Sequence, residues 1–183
     1  MGKFHIHILQ IGSFETEIFE DLGSHLVKVF PNVYCTTKTY SQAFLEDAYN
    51  PERKQYHSTF LLSKIRRIVG GVEADRFLAV VDVDLYAPRL NFVFGEAQCP
   101  GRFALISVFR LRPEFYGLGK DWELFTSRVR KEAVHELGHT LGLLHCRNPL
   151  CVMYFSNSIH DTDRKQDFFC LECKGKVLKA LLS

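Results

Sequence analysis

Residues 135–146 read HELGHTLGLLHC, in which three histidines, one glutamate and one cysteine follow a fixed spacing. Positions i and i+4 of an α-helix share a face, so His135 and His139 can both direct a ring nitrogen at one metal ion. A continuous helix would carry His145 roughly 15 Å from His135, too far for a shared ion. Gly142 permits a turn, because glycine adopts left-handed backbone angles without a Cβ penalty. The stretch therefore predicts a three-histidine metal site.

The predicted site also contains a catalytic base. Glu136 directly follows the first ligand, which places its carboxylate where it can accept a proton from the attacking water and pass it on. Three imidazoles with a fourth position free are typical of catalytic zinc, although iron, cobalt and nickel also accept imidazole. The alternative is an exposed amphipathic helix that carries histidines by coincidence. The pattern thus favours a zinc-dependent hydrolase.

Four of the six cysteines lie near the C-terminal end. Cys146 and Cys151, followed by Cys170 and Cys173, approximate the paired spacing of four-thiolate zinc sites. Such a closed site contributes folding energy rather than chemistry. Two disulfides are the alternative, but the N-terminal residues MGKFHIHILQIG do not resemble a secretory signal, which favours a reducing compartment. We therefore expect a second, structural zinc and a cytoplasmic protein.

The two predicted metal sites share a short segment of backbone. Because Cys146 directly follows His145, the sites must be neighbours, and the second zinc is expected to fix where His145 points. Cys35 and Cys99 stand apart from the other four cysteines. We expect both to be buried, inert thiols.

Three parts of this region together resemble one known family. HELGHTLGLLHC at 135–146, CVM at 151–153 and FCLEC at 169–173 are similar to the motif of the archaemetzincins, a branch of the metzincin zinc peptidases. The resemblance is detailed over the last third of the chain and extends to the rest only in pattern. It implies a catalytic zinc and a structural zinc, two per chain. The implied residues are His135, His139 and His145 for the catalytic zinc, Glu136 as general base, and Cys146, Cys151, Cys170 and Cys173 for the structural zinc.

The resemblance also assigns a role to Met153. It makes Met153 the Met-turn residue, an apolar cushion beneath the zinc ligands, whereas an ordinary core methionine is the alternative. Some metzincins carry a tyrosine that assists the transition state two residues after this methionine. Here Tyr154 follows directly and Phe155 occupies the later place. Tyr154 is therefore expected to pack or to line a pocket.

The upstream sequence indicates alternating strands and helices. Strands are predicted at 3–11, 32–39, 77–85, 91–97 and 102–111, and helices at 14–30, 56–70 and 121–143, the last capped by Asp121. Asp82 and Asp84 are expected to be strand-end and loop groups rather than ligands. As the resemblance implies, an antiparallel edge strand pairs with an extended peptide substrate, and Asn91 to Ala97 is the candidate. A hairpin covered by the 113–120 loop is the alternative.

The predicted fold class is α/β (α+β), a metzincin-like mixed five-stranded sheet with an antiparallel edge strand, a long active-site helix and a small C-terminal zinc-stapled subdomain. Residues 1–183 are expected to form a single metallopeptidase domain. Its N-terminal subdomain, 1–142, contains the sheet and the active-site helix. Its C-terminal subdomain, 143–183, contains the Met-turn and the four-cysteine site.

Composition limits the remaining functional classes. A net charge of +2 is too small to indicate nucleic-acid binding, and the chain has no apolar run long enough for a membrane span. We expect a monomeric zinc-dependent peptidase that acts on peptide or protein substrates. The alternative is a latent, non-catalytic zinc protein with an occluded cleft that binds peptides or partners.

Overall fold

Eight strands and five α-helices make up the protein, which a computed structural model describes over residues 3–182. The strands are β1 (Phe4–Ile11), β2 (Val33–Tyr40), β3 (Tyr49–Asn50), β4 (Gln55–His57), β5 (Arg76–Val81), β6 (Leu85–Tyr86), β7 (Gly95–Ala97) and β8 (Phe103–Ser107). The α-helices are α1 (Glu17–Val29), α2 (Ser58–Ile68), α3 (Trp122–Thr140), α4 (Ile159–Arg164) and α5 (Leu171–Leu182). Short 3₁₀ helices cover Gln42–Ala48, Phe109–Leu111 and Pro113–Tyr116.

The main sheet has five strands in the order β2-β1-β5-β8-β7. Its first four strands run parallel, while β7 pairs antiparallel with β8 and forms one edge. The predicted mixed five-stranded sheet with an antiparallel edge is thereby confirmed. A second, three-stranded sheet has the order β3-β4-β6.

Both faces of the main sheet are covered. On one face, Ile6 and Ile8 of β1 pack into a core with α1, α3 and the segment around Met153. On the other face, Leu9 and Ile11 pack into a core with α2. Burial on both sides explains why the central strands are almost continuously apolar rather than alternating.

The predicted edge strand is shorter than expected, because residues 91–94 turn toward the small sheet. The side chains of Arg53 and Gln55 each donate to the carbonyl oxygen of Asn91 at 3.0 Å. The amide of Val93 donates to the carbonyl of Leu85 at 3.0 Å. Regular pairing with β8 therefore begins only at Gly95.

Other predicted boundaries also shift. The strand predicted at 77–85 ends at Val81, and the two aspartates beyond it bind arginines. Asp84 accepts two hydrogen bonds from Arg110 at 2.6 and 2.7 Å, and Asp82 accepts one from Arg112 at 2.8 Å. These aspartates therefore stabilise loops, as expected. Among residues 3–182, no helix combines the length and apolar composition needed to cross a bilayer.

Candidate functional site

Helix α3 carries three of the predicted site residues through the protein interior. Its start is capped as predicted, because the carboxylate of Asp121 accepts a hydrogen bond from the amide of Leu124 at 2.9 Å. One face of the helix packs under the sheet, and the site residues lie near its C-terminal end. His135 and Glu136 are only 5% and 6% exposed. A rigid, buried element therefore holds both side chains.

The chain turns back immediately after α3, as the sequence predicts. Gly142 has a left-handed φ of 85°, and its amide donates to the carbonyl of His139 at 2.8 Å. The ring centroid of His145 then lies 5.4 Å from that of His135 and 4.9 Å from that of His139. The structure thus brings all three predicted histidines together.

The imidazole rings are oriented by backbone carbonyls. Nδ1 of His135 donates to the carbonyl of Val152 at 2.8 Å, and Nδ1 of His139 donates to that of Leu143 at 2.7 Å. This fixes the proton on Nδ1 and leaves the Nε2 lone pairs facing each other at 3.1 Å. Two nitrogens bound tetrahedrally to one zinc at about 2.05 Å stand roughly 3.3 Å apart. The arrangement therefore fits a zinc ion.

The protonation states of the histidines suit a metal. Burial is the main reason that the pKa of each of His135, His139 and His145 is lowered, and the nearby Lys165 ammonium lowers each further. Neutral imidazole is the form that binds metal ions. The ligand nitrogen atoms of the three histidines lie within 4.8 Å of one another.

Glu136 lies against the edge strand. A Cβ built on Gly95 of β7 would come within 2.7 Å of the Glu136 Cγ and 2.8 Å of the Leu105 carbonyl oxygen. Only glycine allows this approach, and a glycine inside a predicted strand is a sequence signal of some close approach, although it does not identify the partner. Burial, reinforced by the charge of Glu132, raises the pKa of Glu136 well above its usual range. Such a carboxylate accepts a proton readily.

Met153 packs against α3 at Gly138, between the positions of the first two histidines. Its side chain is fully buried, and its sulfur packs against Gly138 of α3, next to His139. The amide of Cys146 donates to the carbonyl of Met153 at 2.9 Å. The turn at Met153 is thereby tied to the segment that presents the third histidine. Tyr154 is half-buried, consistent with a packing residue.

The four C-terminal cysteines form a second cluster beside the histidines. Their sulfur atoms lie within 4.8 Å of one another. The Sγ atoms of Cys146 and Cys170 are 3.9 Å apart, close to the roughly 3.8 Å expected for two thiolates on one tetrahedral zinc. The amide of Cys170 also points at the sulfur of Cys151 at 3.3 Å, as amides do toward thiolates. The four residues therefore fit a zinc ion as well.

The other two cysteines differ from each other. Cys35 is half-buried, and burial raises the pKa of its thiol to about 11. Cys99 is exposed, so the expectation that it is buried is wrong. It lies in the Gln98–Gly101 turn at the rim of the cleft, where neighbouring elements do not cover it. All six thiols are free.

A cleft of about 790 Å³ passes over the histidines. Residues 89–97 form its upper wall, and Phe155, Ser156 and Asn157 form its lower wall. The ring of Phe155 lies 4.9 Å from that of His145. An extended peptide in this cleft would run alongside β7.

Comparison with known proteins identifies relatives over nearly the whole chain. The model of peptidase family M54 matches residues 4–179. The chain is 43% identical over 175 residues to an archaemetzincin of Archaeoglobus fulgidus, covering 96% of this chain and 98% of that protein. It is 50% identical over 130 residues to an archaemetzincin of Methanocaldococcus jannaschii, covering 71% and 70%.

Solved structures agree with these sequence matches. The archaemetzincin of Methanopyrus kandleri superimposes with a TM-score of 0.88 at 38% identity, covering 99% of this chain and 97% of that one. The archaemetzincin of Archaeoglobus fulgidus complexed with malonate superimposes with a TM-score of 0.79 at 41% identity, covering 94% and 99%. The chain therefore belongs to peptidase family M54, the archaemetzincins, and is a zinc-dependent metallopeptidase.

Proposed function

We propose that His135, His139 and His145 hold the catalytic zinc of this peptidase and that Glu136 is its general base. One observation carries the proposal. The backbone carbonyls of Val152 and Leu143 fix two of the imidazoles so that their free Nε2 atoms converge. This is the orientation that a metal needs, and a histidine serving only to pack would not require it.

The buried carboxylate would perform the proton transfers. When bound, zinc would supply Lewis acidity that polarises the scissile carbonyl and acidifies water. Glu136, whose pKa is raised by burial, accepts the proton of the attacking water and delivers it to the leaving amine. The edge of β7 orients the extended substrate over the histidines by strand pairing. The chain thus provides binding, orientation and the proton carrier.

We infer that the cysteine cluster holds a second, structural zinc, giving two per chain. Cys146, Cys151, Cys170 and Cys173 leave no coordination position free, so this ion would stabilise rather than react. Met153 supports the histidines as the Met-turn residue. We infer one domain over 1–183, with subdomains 1–142 and 143–183, because the proposed sites straddle that boundary.

The substrate is a peptide or protein. The alternative of an occluded, non-catalytic cleft is not favoured, since the cleft over the histidines is open. We infer a monomer, because one chain supplies every proposed catalytic group. A net charge of +2 gives no support for nucleic-acid or membrane partners. Four clustered thiols are consistent with a reducing compartment such as the cytoplasm.

Replacing Glu136 tests the proposal directly. Glu136→Gln keeps the shape of the side chain but removes its ability to take a proton, so the variant should retain zinc and lose about 100- to 10,000-fold in kcat. Cleavage of a peptide library by zinc-loaded protein, with and without chelator, provides the measurement. The matched control is Glu123→Gln, at an exposed position in the first turn of α3, which should cleave like the parent. Undiminished cleavage by Glu136→Gln would contradict the proposed role.

A further inference from the structure

A buried ion pair lies beside the proposed base and takes no part in the proton transfers proposed for Glu136. Glu132 precedes Glu136 by one turn of α3, so the two carboxylates share a face of the helix. Glu132 is 3% exposed and lines the cleft. Its Oε1 accepts a hydrogen bond from the Thr162 hydroxyl at 3.1 Å and lies 3.1 Å from the Nζ of Lys165.

The position of Lys165 is fixed by the attachment of helix α4 to α3. Its side chain is completely buried, and its Nζ makes no well-directed hydrogen bond within residues 3–182. The preceding helix α4 is fastened to α3, because Arg128 donates twice to the carboxylate of Asp163 at 2.7 Å. The ammonium therefore stays beside Glu132 and neutralises it.

A third polar group lines the same cleft. Ser156 belongs to the segment that follows Met153 and forms the lower wall. Its hydroxyl oxygen is buried, and among residues 3–182 it has no hydrogen-bond partner. Buried hydroxyls in proteins are nearly always hydrogen-bonded. A partner from a bound substrate would satisfy it.

The chemistry of peptide hydrolysis indicates which substrate residue reaches these groups. Glu136 delivers its proton to the leaving amine, so the residue that follows the scissile bond lies on the Glu136 side of the histidines. Glu132 lies one helical turn farther in that direction, away from His139 and His145. The side chain of the residue after the scissile bond is therefore the one that faces Glu132, in the cleft that Ser156 also lines.

The charges in this part of the cleft select the class of side chain. A cation would be attracted by Glu132 but repelled by Lys165, and an anion would be attracted by Lys165 but repelled by Glu132, so neither recovers its lost hydration. An apolar group would leave the Ser156 hydroxyl without a partner. A carboxamide can donate to the Glu132 carboxylate and accept from the Ser156 hydroxyl.

We propose that Glu132 and Ser156 determine specificity and that this subsite takes the side chain of glutamine or asparagine directly after the scissile bond. The proposal rests on the proposed peptidase function. Lys165 and Thr162 act as positioning residues, because they hold the Glu132 carboxylate at the end of the subsite without contacting the substrate.

The test compares cleavage of matched peptides by the zinc-loaded protein. A peptide cut by the parent is remade with Gln, Asn, Lys, Glu or Leu after the scissile bond, and kcat/KM is measured for each. We expect the Gln and Asn peptides to exceed the others by at least about tenfold, because a site built to hydrogen-bond discriminates against groups that cannot. A preference for Lys, Glu or Leu would overturn the proposal while leaving the peptidase function intact. Failure to cut any library peptide would overturn both.

Two variants link the preference to the named residues. Ser156→Ala should lower the Gln-to-Leu ratio of kcat/KM by about tenfold, because the substrate carbonyl loses its donor. Ser24→Ala, on the exposed face of α1, is the matched control and should keep the parental ratio. An unchanged ratio in Ser156→Ala would overturn the assignment of that residue.

The double variant Glu132→Met/Lys165→Met replaces the ion pair with apolar groups of similar length, a change that buried pairs often tolerate. It should reverse the preference toward Leu. Zinc content and the melting temperature report whether the double variant folds. If it does not fold, the Gln-to-Leu ratio of kcat/KM for Ser156→Ala alone tests the proposal. A folded double variant that still prefers Gln would contradict the role of Glu132.

Discussion

The sulfur of Met153 packs so tightly beneath Gly138 of α3 that a Cβ at position 138 would lie 2.5 Å from it. Met153 is fully buried, so its side chain cannot swing into solvent to relieve the overlap. We expect Gly138→Ala to lower the free energy of unfolding by about 1–3 kcal/mol, as overpacking does. The loss should occur even though alanine improves helix propensity by about 1 kcal/mol. Urea unfolding of the zinc-loaded proteins measures it.

Gly175 provides the matched control for this change. It lies within α5, and a Cβ there would meet nothing within 4 Å. Gly175→Ala should therefore raise the free energy of unfolding by up to about 1 kcal/mol. If both variants shifted the free energy of unfolding in the same direction, the close packing of Met153 against α3 would not explain the effect of Gly138→Ala.

Gly95 makes a comparable contact on the opposite side of the helix. An alanine there would press on the Cγ of Glu136 at 2.7 Å and on the Leu105 carbonyl at 2.8 Å. We expect Gly95→Ala to lower kcat by about tenfold or more, because small displacements of a catalytic group, the role proposed for Glu136, are costly. Its zinc content should stay parental, since no histidine is touched. Gly119→Ala, where a Cβ would meet nothing within 4 Å, is the matched control and should leave kcat unchanged. Equal kcat values for the two variants would show that the contact of Gly95 with Glu136 does not affect catalysis.

Local sequence patterns predict the elements that local interactions determine. The i, i+4 histidines, the Asp121 cap and the left-handed Gly142 each depend on a few neighbouring residues, and each is confirmed. The clustering of Cys146 with Cys170 also follows from paired spacing. The histidine pair, the cap and the turn could be predicted because their geometry is set within one or two helical turns, whereas the two cysteine pairs are each local but distant from one another.

Three features that depend on distant pairings were not predicted. The small sheet has strands of two or three residues, too short to show a periodic pattern. The contact of Gly95 with Glu136 joins an edge strand to a helix some 40 residues later, and no local rule signals its partner. Likewise the Glu132–Lys165 ion pair becomes visible only when α3 and the segment after α4 are brought together.

A buried histidine away from the three clustered histidines makes stability depend on pH. His7 of β1 is 4% exposed, and its ring nitrogens contact the hydroxyls of Thr36 at 2.8 Å and Tyr40 at 3.0 Å. Burial, followed by the charges of His5 and Lys38, lowers the pKa of His7 below 6.5. The unfolded chain therefore binds this proton more strongly, so the stability contribution is present above about pH 6.5 and is lost as the pH falls toward the folded-state pKa.

The variant His7→Gln removes this titration while keeping a polar side chain. The free energy of unfolding of the parent should fall more steeply between pH 7 and pH 5.5 than that of the variant, by up to about 1.4 kcal/mol per pH unit. Urea unfolding at constant zinc gives both slopes, and other titrating groups cancel in the difference. The free energy of unfolding of Ser24→Ala, which removes no titrating group at an exposed position of α1, should run parallel to that of the parent. If the curve of His7→Gln also ran parallel to that of the parent, His7 would be excluded as the source of the pH dependence.

The proposed structural zinc is testable through Cys173, which is buried within the cysteine cluster. The parent should contain two zinc ions per chain and Cys173→Ser one, because a hydroxyl replaces a thiolate ligand. The remaining zinc should be lost to a chelator about 10- to 100-fold more readily, since Cys146 is bonded through the backbone to His145 and Met153. Cys35→Ala, outside the cluster, should keep both ions. One zinc ion in the parent, or two in Cys173→Ser, would contradict the second site. If the remaining zinc of Cys173→Ser were lost to the chelator no faster than in the parent, the two sites would not be mechanically coupled.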